Sequence, residues 1–176
     1  MLNVICIVNG DLLENCYIIH NKNQALIVDP GSEEEKIFKV IDDLKLEVKG
    51  ILVTHYHFDH VTCLDKVKNK YKVDVIDYKN RVDSIDGFDF EVIENYGHTM
   101  DSVSFYFKKN KIMFTGDFIF RESIGKYDFE NSSIMYKCLK EFCKFDNDIV
   151  IYPGHGEIST VGYEKENNYF LRGIKC

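Results

Sequence analysis

Short apolar runs alternate with polar turns along most of the chain. The first three runs cover residues 2–8, 14–19 and 25–28. The turn Asp29-Pro30-Gly31 ends the third run, and runs of this length between turn residues predict β-strands. Ser32 then predicts a helix N-cap, because acidic residues follow it and apolar residues recur at helical spacing as far as Leu46.

The rest of the chain continues in the same order. Further strands are predicted near 50–53, 73–77, 88–93, 102–107, 111–115 and 149–151. Helices are predicted near 60–69, 133–144 and 161–171. Two successive units of strands, helix, strand and helix favour two packed sheets with helices outside them. Since no linker-like segment separates the units, we expect residues 1–176 to form one domain.

Composition narrows the range of partners and locations. The 176 residues include 22 Lys+Arg and 29 Asp+Glu, a net charge of -7, and the basic residues form no stripe, so we expect no nucleic-acid partner. The chain shows neither a signal-peptide pattern nor an apolar run near the ~20 residues that span a bilayer. Its six scattered cysteines include no C-x-x-C pair and favour reduced thiols. We therefore expect a cytoplasmic protein without membrane association.

Five of the six histidines fall into one pattern with two aspartates. The segment 54–60, T-H-Y-H-F-D-H, holds three imidazoles and a carboxylate, and three further candidates stand in glycine-containing segments. Each segment follows a predicted strand, so the side chains can meet at one sheet edge. The candidate metal ligands are His55, His57, Asp59, His60, His98, Asp117 and His155.

These residue types indicate metal chemistry. Zinc binds imidazole nitrogen and carboxylate oxygen, and a catalytic site leaves one coordination position open. Seven ligands are too many for one such ion but suit two. A hydroxide shared by two ions is available at neutral pH, because coordination lowers the pKa of water from about 15.7 to about 7. The pattern therefore predicts a hydrolase with two divalent metal ions.

At these residues the chain resembles the metallo-β-lactamase superfamily, and within it a short form of the glyoxalase II (hydroxyacylglutathione hydrolase) branch. Beside the histidine motif, the matching segments are residues 15–17, 27–31, 97–99, 102–105, 115–117, 123–128, 160–164 and 167–168. The resemblance implies an α+β fold, the αββα four-layer sandwich of two mixed β-sheets with helices on the outer faces. It places the metals in a cleft at the sheet edges.

The resemblance also implies roles for the ligands. His55, His57 and His98 hold the first metal, Asp59, His60 and His155 hold the second, and Asp117 bridges them. Zinc is the default, although iron or manganese occupies such sites in relatives. The implied reaction is hydrolysis of a small thioester or related acyl substrate by a hydroxide that bridges the metals. Asp59 is the implied catalytic residue, which would orient that hydroxide.

Two features of the chain bear on the substrate, and a third concerns a cysteine beside the histidine motif. Glyoxalase II proper has a further C-terminal helical region that grips glutathione, for which this chain has no room, so the thiol is left open. Lys126 matches a position near glutathione in that family, and it is a candidate substrate contact together with its neighbour Tyr127. Cys63 stands where the family usually has glycine, and we expect it to pack on the sheet.

Other functions fit the same ligands. A single iron could oxidise a persulfide, and a lactonase could use the same site. A metal-binding module without catalysis is a further alternative, which the complete ligand set disfavours. Classical β-lactam hydrolysis is disfavoured by the resemblance to the thioesterase branch. The sequence leaves the acyl group, the physiological metal and the oligomeric state open.

Overall fold

A computed structural model describes residues 2–174, which form fourteen strands and five α-helices. The strands are β1 (Asn3–Asn9), β2 (Glu14–Asn21), β3 (Gln24–Val28), β4 (Glu47–Leu52), β5 (Val75–Ile76), β6 (Ser84–Ile85), β7 (Phe88–Asp89), β8 (Glu91–Glu94), β9 (Val103–Phe107), β10 (Ile112–Gly116), β11 (Ile119–Phe120), β12 (Ser123–Ile124), β13 (Val150–Pro153) and β14 (Ser159–Thr160). The helices are α1 (Glu34–Asp43), α2 (Phe58–Val61), α3 (Leu64–Tyr71), α4 (Ser132–Phe142) and α5 (Val161–Asn167).

Most strands belong to two mixed five-stranded sheets. The first has the order β1-β2-β3-β4-β5, antiparallel from β1 to β3 and parallel from β3 to β5. The second has the order β14-β13-β10-β9-β8, in which only β10 and β13 are parallel neighbours. Since β8 and β10 both run antiparallel to β9, the carboxyl ends of β8, β10 and β13 lie at one edge.

Alternating side chains divide the apolar core into three layers. On β2, Tyr17 contributes to the core between the two sheets, whereas Ile18 packs with Ile37 of α1. On β10, Phe114 joins the same inter-sheet core, whereas Met113 packs in the cluster that includes α4. Helices therefore cover the outer face of each sheet. The architecture is the predicted αββα four-layer sandwich.

Local interactions move several boundaries away from the sequence predictions. The N-cap of α1 is Glu33, with φ of 54°, and not Ser32. The helix predicted at 60–69 is two helices, because the Cys63 N–H donates hydrogen bonds to the carbonyls of Pro30 and Gly31, at 3.1 and 2.8 Å. The strand predicted at 88–93 is also two, since β7 pairs with β6 while β8 pairs with β9.

The cysteines follow the expectation only in part. In residues 2–174, the thiols of Cys6, Cys16, Cys63 and Cys138 are free, whereas Cys143 is disulfide-bonded, so the prediction of reduced thiols is wrong for Cys143. Cys176 lies outside the described residues. None of the helices in this part of the chain is both long enough and apolar enough to cross a membrane.

Candidate metal centre

The four segments that carry the predicted ligands meet at one edge of the sandwich. Each follows the carboxyl end of a strand: the histidine motif follows β4, and the other three ligands follow β8, β10 and β13. The last two segments are joined by a hydrogen bond of 2.9 Å from the Gly154 N–H to the Gly116 carbonyl. The ends of the strands therefore bring together residues that are about a hundred positions apart in the sequence.

Three imidazoles and a carboxylate form the first group of donors. His57 Nδ1 lies 3.2 Å from His55 Nε2 and 2.9 Å from His98 Nε2. An oxygen of Asp117, Oδ2, lies 3.5 Å from His98 Nε2. These four side chains each offer one donor atom within 4.8 Å of the others. The separation is suited to a single ion between them.

The second group of donors consists of Asp59, His60 and His155. Asp59 Oδ2 lies 3.2 Å from His155 Nε2 and 3.7 Å from His60 Nε2. Asp117 also faces this group, with Oδ1 3.2 Å from His60 Nε2 and Oδ2 3.7 Å from His155 Nε2. The Asp117 carboxylate thus lies between the two groups, at the place of the bridge that the family resemblance implies.

Hydrogen bonds on the far side of four rings orient the imidazoles. The acceptors at Nδ1 are Thr54 Oγ1 for His55 at 3.1 Å, Asp29 Oδ2 for His60 at 3.0 Å, the Lys126 carbonyl for His98 at 2.6 Å and the Leu12 carbonyl for His155 at 3.1 Å. In the neutral form of each ring, a proton on Nδ1 leaves the Nε2 lone pair facing the centre. Such outer hydrogen bonds are typical of histidines that bind metals.

The protonation states of His55 and Asp117 also suit cations. Burial lowers the pKa of His55 to about 2, so this imidazole is neutral. Burial alone would raise the pKa of Asp117, but the ion pair with the His60 ring, whose Nε2 lies 3.2 Å from Oδ1, lowers it to about 2. His60 Nε2 and Asp117 Oδ1 are buried and have no hydrogen-bond partner among the described residues. A metal ion would satisfy both atoms, so this donor set fits the two ions expected from the sequence.

Asp29, which the sequence indicates only as part of a turn, organises the second donor group. Its carboxylate accepts hydrogen bonds from the Thr54 N–H at 2.7 Å, the Thr54 hydroxyl at 2.6 Å and His60 Nδ1. It therefore connects the ends of β3 and β4 to the second donor group. The signal in the sequence was an acidic residue at the end of a buried strand.

Glu14 is a second residue that the pattern did not single out. Its side chain is 1% exposed, lies 4.0 Å from His60 Nδ1, and has no hydrogen-bond partner for either oxygen within residues 2–174. Burial raises the pKa of Glu14 to about 10, which the charge of His60 only partly offsets. The metal-free protein therefore holds a neutral carboxyl group beneath the ligands at neutral pH.

This buried group predicts how stability depends on pH. The folded metal-free chain holds a proton on Glu14 that the unfolded chain releases near its ordinary pKa of 4.5, so stability falls as pH rises between about 5 and 10. Glu14→Gln cannot ionise. We expect its free energy of unfolding, relative to the wild type, to rise by a few kcal/mol from pH 5 to pH 8. Denaturant unfolding of both metal-free proteins measures this, and a constant difference would contradict it.

The other residues that the sequence singled out lie at different places. Lys126 is exposed and its carbonyl accepts the His98 hydrogen bond, while Tyr127 is half-buried and packs against the outer core of the second sheet. Cys63 lies in the core between the first sheet and its helices, with its thiol donating to a Glu34 carboxylate oxygen at 3.1 Å. Within residues 2–174, Cys63 belongs to neither of the two donor groups.

The layered fold and the seven converging donors define an αββα sandwich with a candidate two-metal centre. The family model of the metallo-beta-lactamase superfamily matches residues 9–82 and 77–155, and the chain belongs to this superfamily. The hydroxyacylglutathione hydrolase GloC of Haemophilus influenzae is 28% identical over 196 aligned residues, 90% of this chain and 92% of that protein.

Solved structures show the same fold. The B3 metallo-beta-lactamase BLEG-1 has a TM-score of 0.90 and 25% identity, with 96% of this chain and 99% of that chain covered. TTHA1623 in a di-iron-bound form has a TM-score of 0.86 and 26% identity, with 95% of this chain and 100% of that chain covered. The superfamily and the four-layer fold expected from the sequence are both confirmed.

Proposed function

We propose that this protein is a metal-dependent thioesterase of the glyoxalase II type that acts on a small acyl substrate. The observation that carries the proposal is the arrangement of donors, with the Asp117 carboxylate between two groups of imidazoles. Similarity over 90% of this chain to a hydroxyacylglutathione hydrolase supports the thioester as substrate class. The β-lactamase neighbour shares the fold but is less similar in sequence, with 25% identity.

The proposed ligands follow the two groups in the structure. His55, His57 and His98 would hold one ion, Asp59, His60 and His155 the other, with Asp117 shared. When bound, the ions would supply a water molecule deprotonated at neutral pH and positive charge next to the substrate carbonyl. Zinc fits nitrogen and oxygen donors, and the di-iron form of TTHA1623 makes iron an equal candidate.

The chain's own residues would position the reactants. Asp59 is 14% exposed at its side chain and lies 3.2 Å from His155 Nε2 through Oδ2, which leaves Oδ1 to accept a hydrogen bond from the attacking water. We assign it this catalytic part. Lys126 is exposed on the segment that supports His98, and we propose it as a contact for an anionic part of the substrate. Tyr127 lies beside it as a weaker candidate.

A metal and substrate survey tests the proposed function. Protein purified without added metal is analysed for zinc, iron and manganese, then loaded with each and assayed on a glutathione thioester, a neutral thioester, a lactone, a persulfide and a β-lactam. We expect two ions per chain and the fastest turnover on a thioester, lost on chelation and restored by metal. One iron with oxygen consumption on the persulfide would indicate the dioxygenase alternative, and full activity after chelation would reject metal-dependent hydrolysis.

A further inference from the structure

Helix α5 carries a buried carboxylate that is not among the proposed metal ligands. The Glu164 side chain is 0% exposed. Oε2 accepts hydrogen bonds from the Glu122 N–H and the Asn168 side-chain amide, each at 2.8 Å, and Oε1 accepts one from the Ser159 hydroxyl. A buried anion persists only when donors compensate it, so this carboxylate is committed to three partners.

Two of these partners join α5 to the hairpin of β11 and β12. Glu122 lies in its turn with φ of 61°, a conformation that non-glycine residues seldom adopt, and the bond to Glu164 holds its N–H. Asn168 bonds the carbonyl of Ser123 at 3.0 Å through the amide that also reaches Glu164. Both residues at the turn end of the hairpin are therefore tied to α5 by side chains.

The same hairpin and the residues after it contact the proposed metal ligands. The Phe120 ring meets the His155 ring edge-on, with 6.0 Å between centroids. Gly125 packs so closely on the Asp117 carbonyl that a Cβ there would overlap it, and it would lie 3.0 Å from His98 Nδ1. The Lys126 carbonyl accepts the hydrogen bond from His98 at 2.6 Å. One ligand of each group is thus supported by segment 119–126.

We infer that Glu164, with Asn168, is a positioning residue for the metal centre. By holding the hairpin it sets the orientation of His98 in the first group and His155 in the second, although it is not itself proposed to bind metal. The inference rests on the metal site proposed above. It follows that loss of the carboxylate weakens metal binding, and that an amide able to keep the same hydrogen bonds restores it.

Three variants test this role through metal retention measured by chelator competition. In Glu164→Ala the Glu122 N–H loses its acceptor. We expect metal binding about 10-fold weaker, the lower end of the range for groups bonded directly to metal ligands, because Glu164 acts through the hairpin. Glu164→Gln keeps an oxygen for Glu122 and Asn168 and can donate to Ser159, so its retention should be close to wild type. Ser159→Ala removes a partner that does not touch the hairpin, and should also retain metal.

Hydrogen exchange gives a readout that does not require metal. In the metal-free Glu164→Ala protein, amides in 119–126 should exchange faster than in Glu164→Gln, while those of β2 and β10 stay protected. If Glu164→Ala does not fold, Asn168→Ala replaces it. That change removes the amide that bonds Glu164 and the carbonyls of Phe120 and Ser123, together with the oxygen that accepts from the Phe170 N–H, and it should weaken metal binding in the same direction. Wild-type metal retention in a folded Glu164→Ala, or equal loss in Glu164→Gln, would overturn the inference. A wild-type protein that binds no metal would instead reject the proposed function.

Discussion

Asp117→Ala is expected to lose most of its bound metal and at least about 1,000-fold of the proposed thioesterase activity, equivalent to about 4 kcal/mol of barrier. The reason is the place of this carboxylate. Its oxygens lie 3.2 Å from His60 Nε2, 3.5 Å from His98 Nε2 and 3.7 Å from His155 Nε2, so both donor groups lose the anion at once. Neutral imidazoles would then have to hold two dications with only Asp59 to offset the charge.

The fold should survive this substitution, because Asp117 follows β10 at the rim and contributes nothing to the three apolar clusters. Metal content is measured by elemental analysis, and folding by circular dichroism and thermal unfolding of the metal-free protein. Asp148→Ala is the matched control. Asp148 pairs with Lys111 on the exposed surface next to the start of β13, and removing such a pair should leave metal and activity unchanged. Two ions per chain in Asp117→Ala would contradict the proposed bridge.

The convergence of the candidate ligands could be predicted from the sequence because each of them follows an apolar run. Val53 ends the buried run before His55, and Ile151 lies in the run before His155. Strand ends are marked by the change from apolar to polar residues, and the chemistry of histidine and aspartate is specific. The meeting of these side chains at one sheet edge was therefore predictable. In the structure, their donor atoms lie within a few ångströms of one another.

The residues that surround the candidate ligands were harder to predict from the sequence. Asp29 and Glu14 look like ordinary turn and strand-end residues, and their roles depend on contacts with His60 that only the folded chain makes. The hairpin of β11 and β12 has strands of two residues, too short to show a period. Its turn is hydrogen-bonded to the side chains of Glu164 and Asn168, more than forty residues away. Long-range polar contacts of this kind leave no local pattern in a sequence.

Gly154→Ala should damage the metal centre by steric means alone, with activity reduced at least about 100-fold, or about 3 kcal/mol of barrier. A Cβ on Gly154 would overlap Oδ1 of Asp117 and lie 2.6 Å from Cε1 of His60. The backbone cannot move aside, since the Gly154 N–H bonds the Gly116 carbonyl at 2.9 Å and the Gly154 carbonyl accepts from Asn15 at 2.7 Å. The methyl group must therefore displace one ligand from each donor group.

Gly156→Ala separates this steric effect from a change in backbone freedom. No described atom lies within 4 Å of a Cβ at Gly156, but its φ of +78° is unfavourable for alanine. That variant should lose about 1 kcal/mol of stability and keep its metals and activity. Elemental analysis, chelator competition and thioesterase assays on both proteins make the comparison. If Gly154→Ala retained both ions at wild-type affinity, the Asp117 and His60 side chains could move apart without cost, and the close approach seen here would not be needed for metal binding.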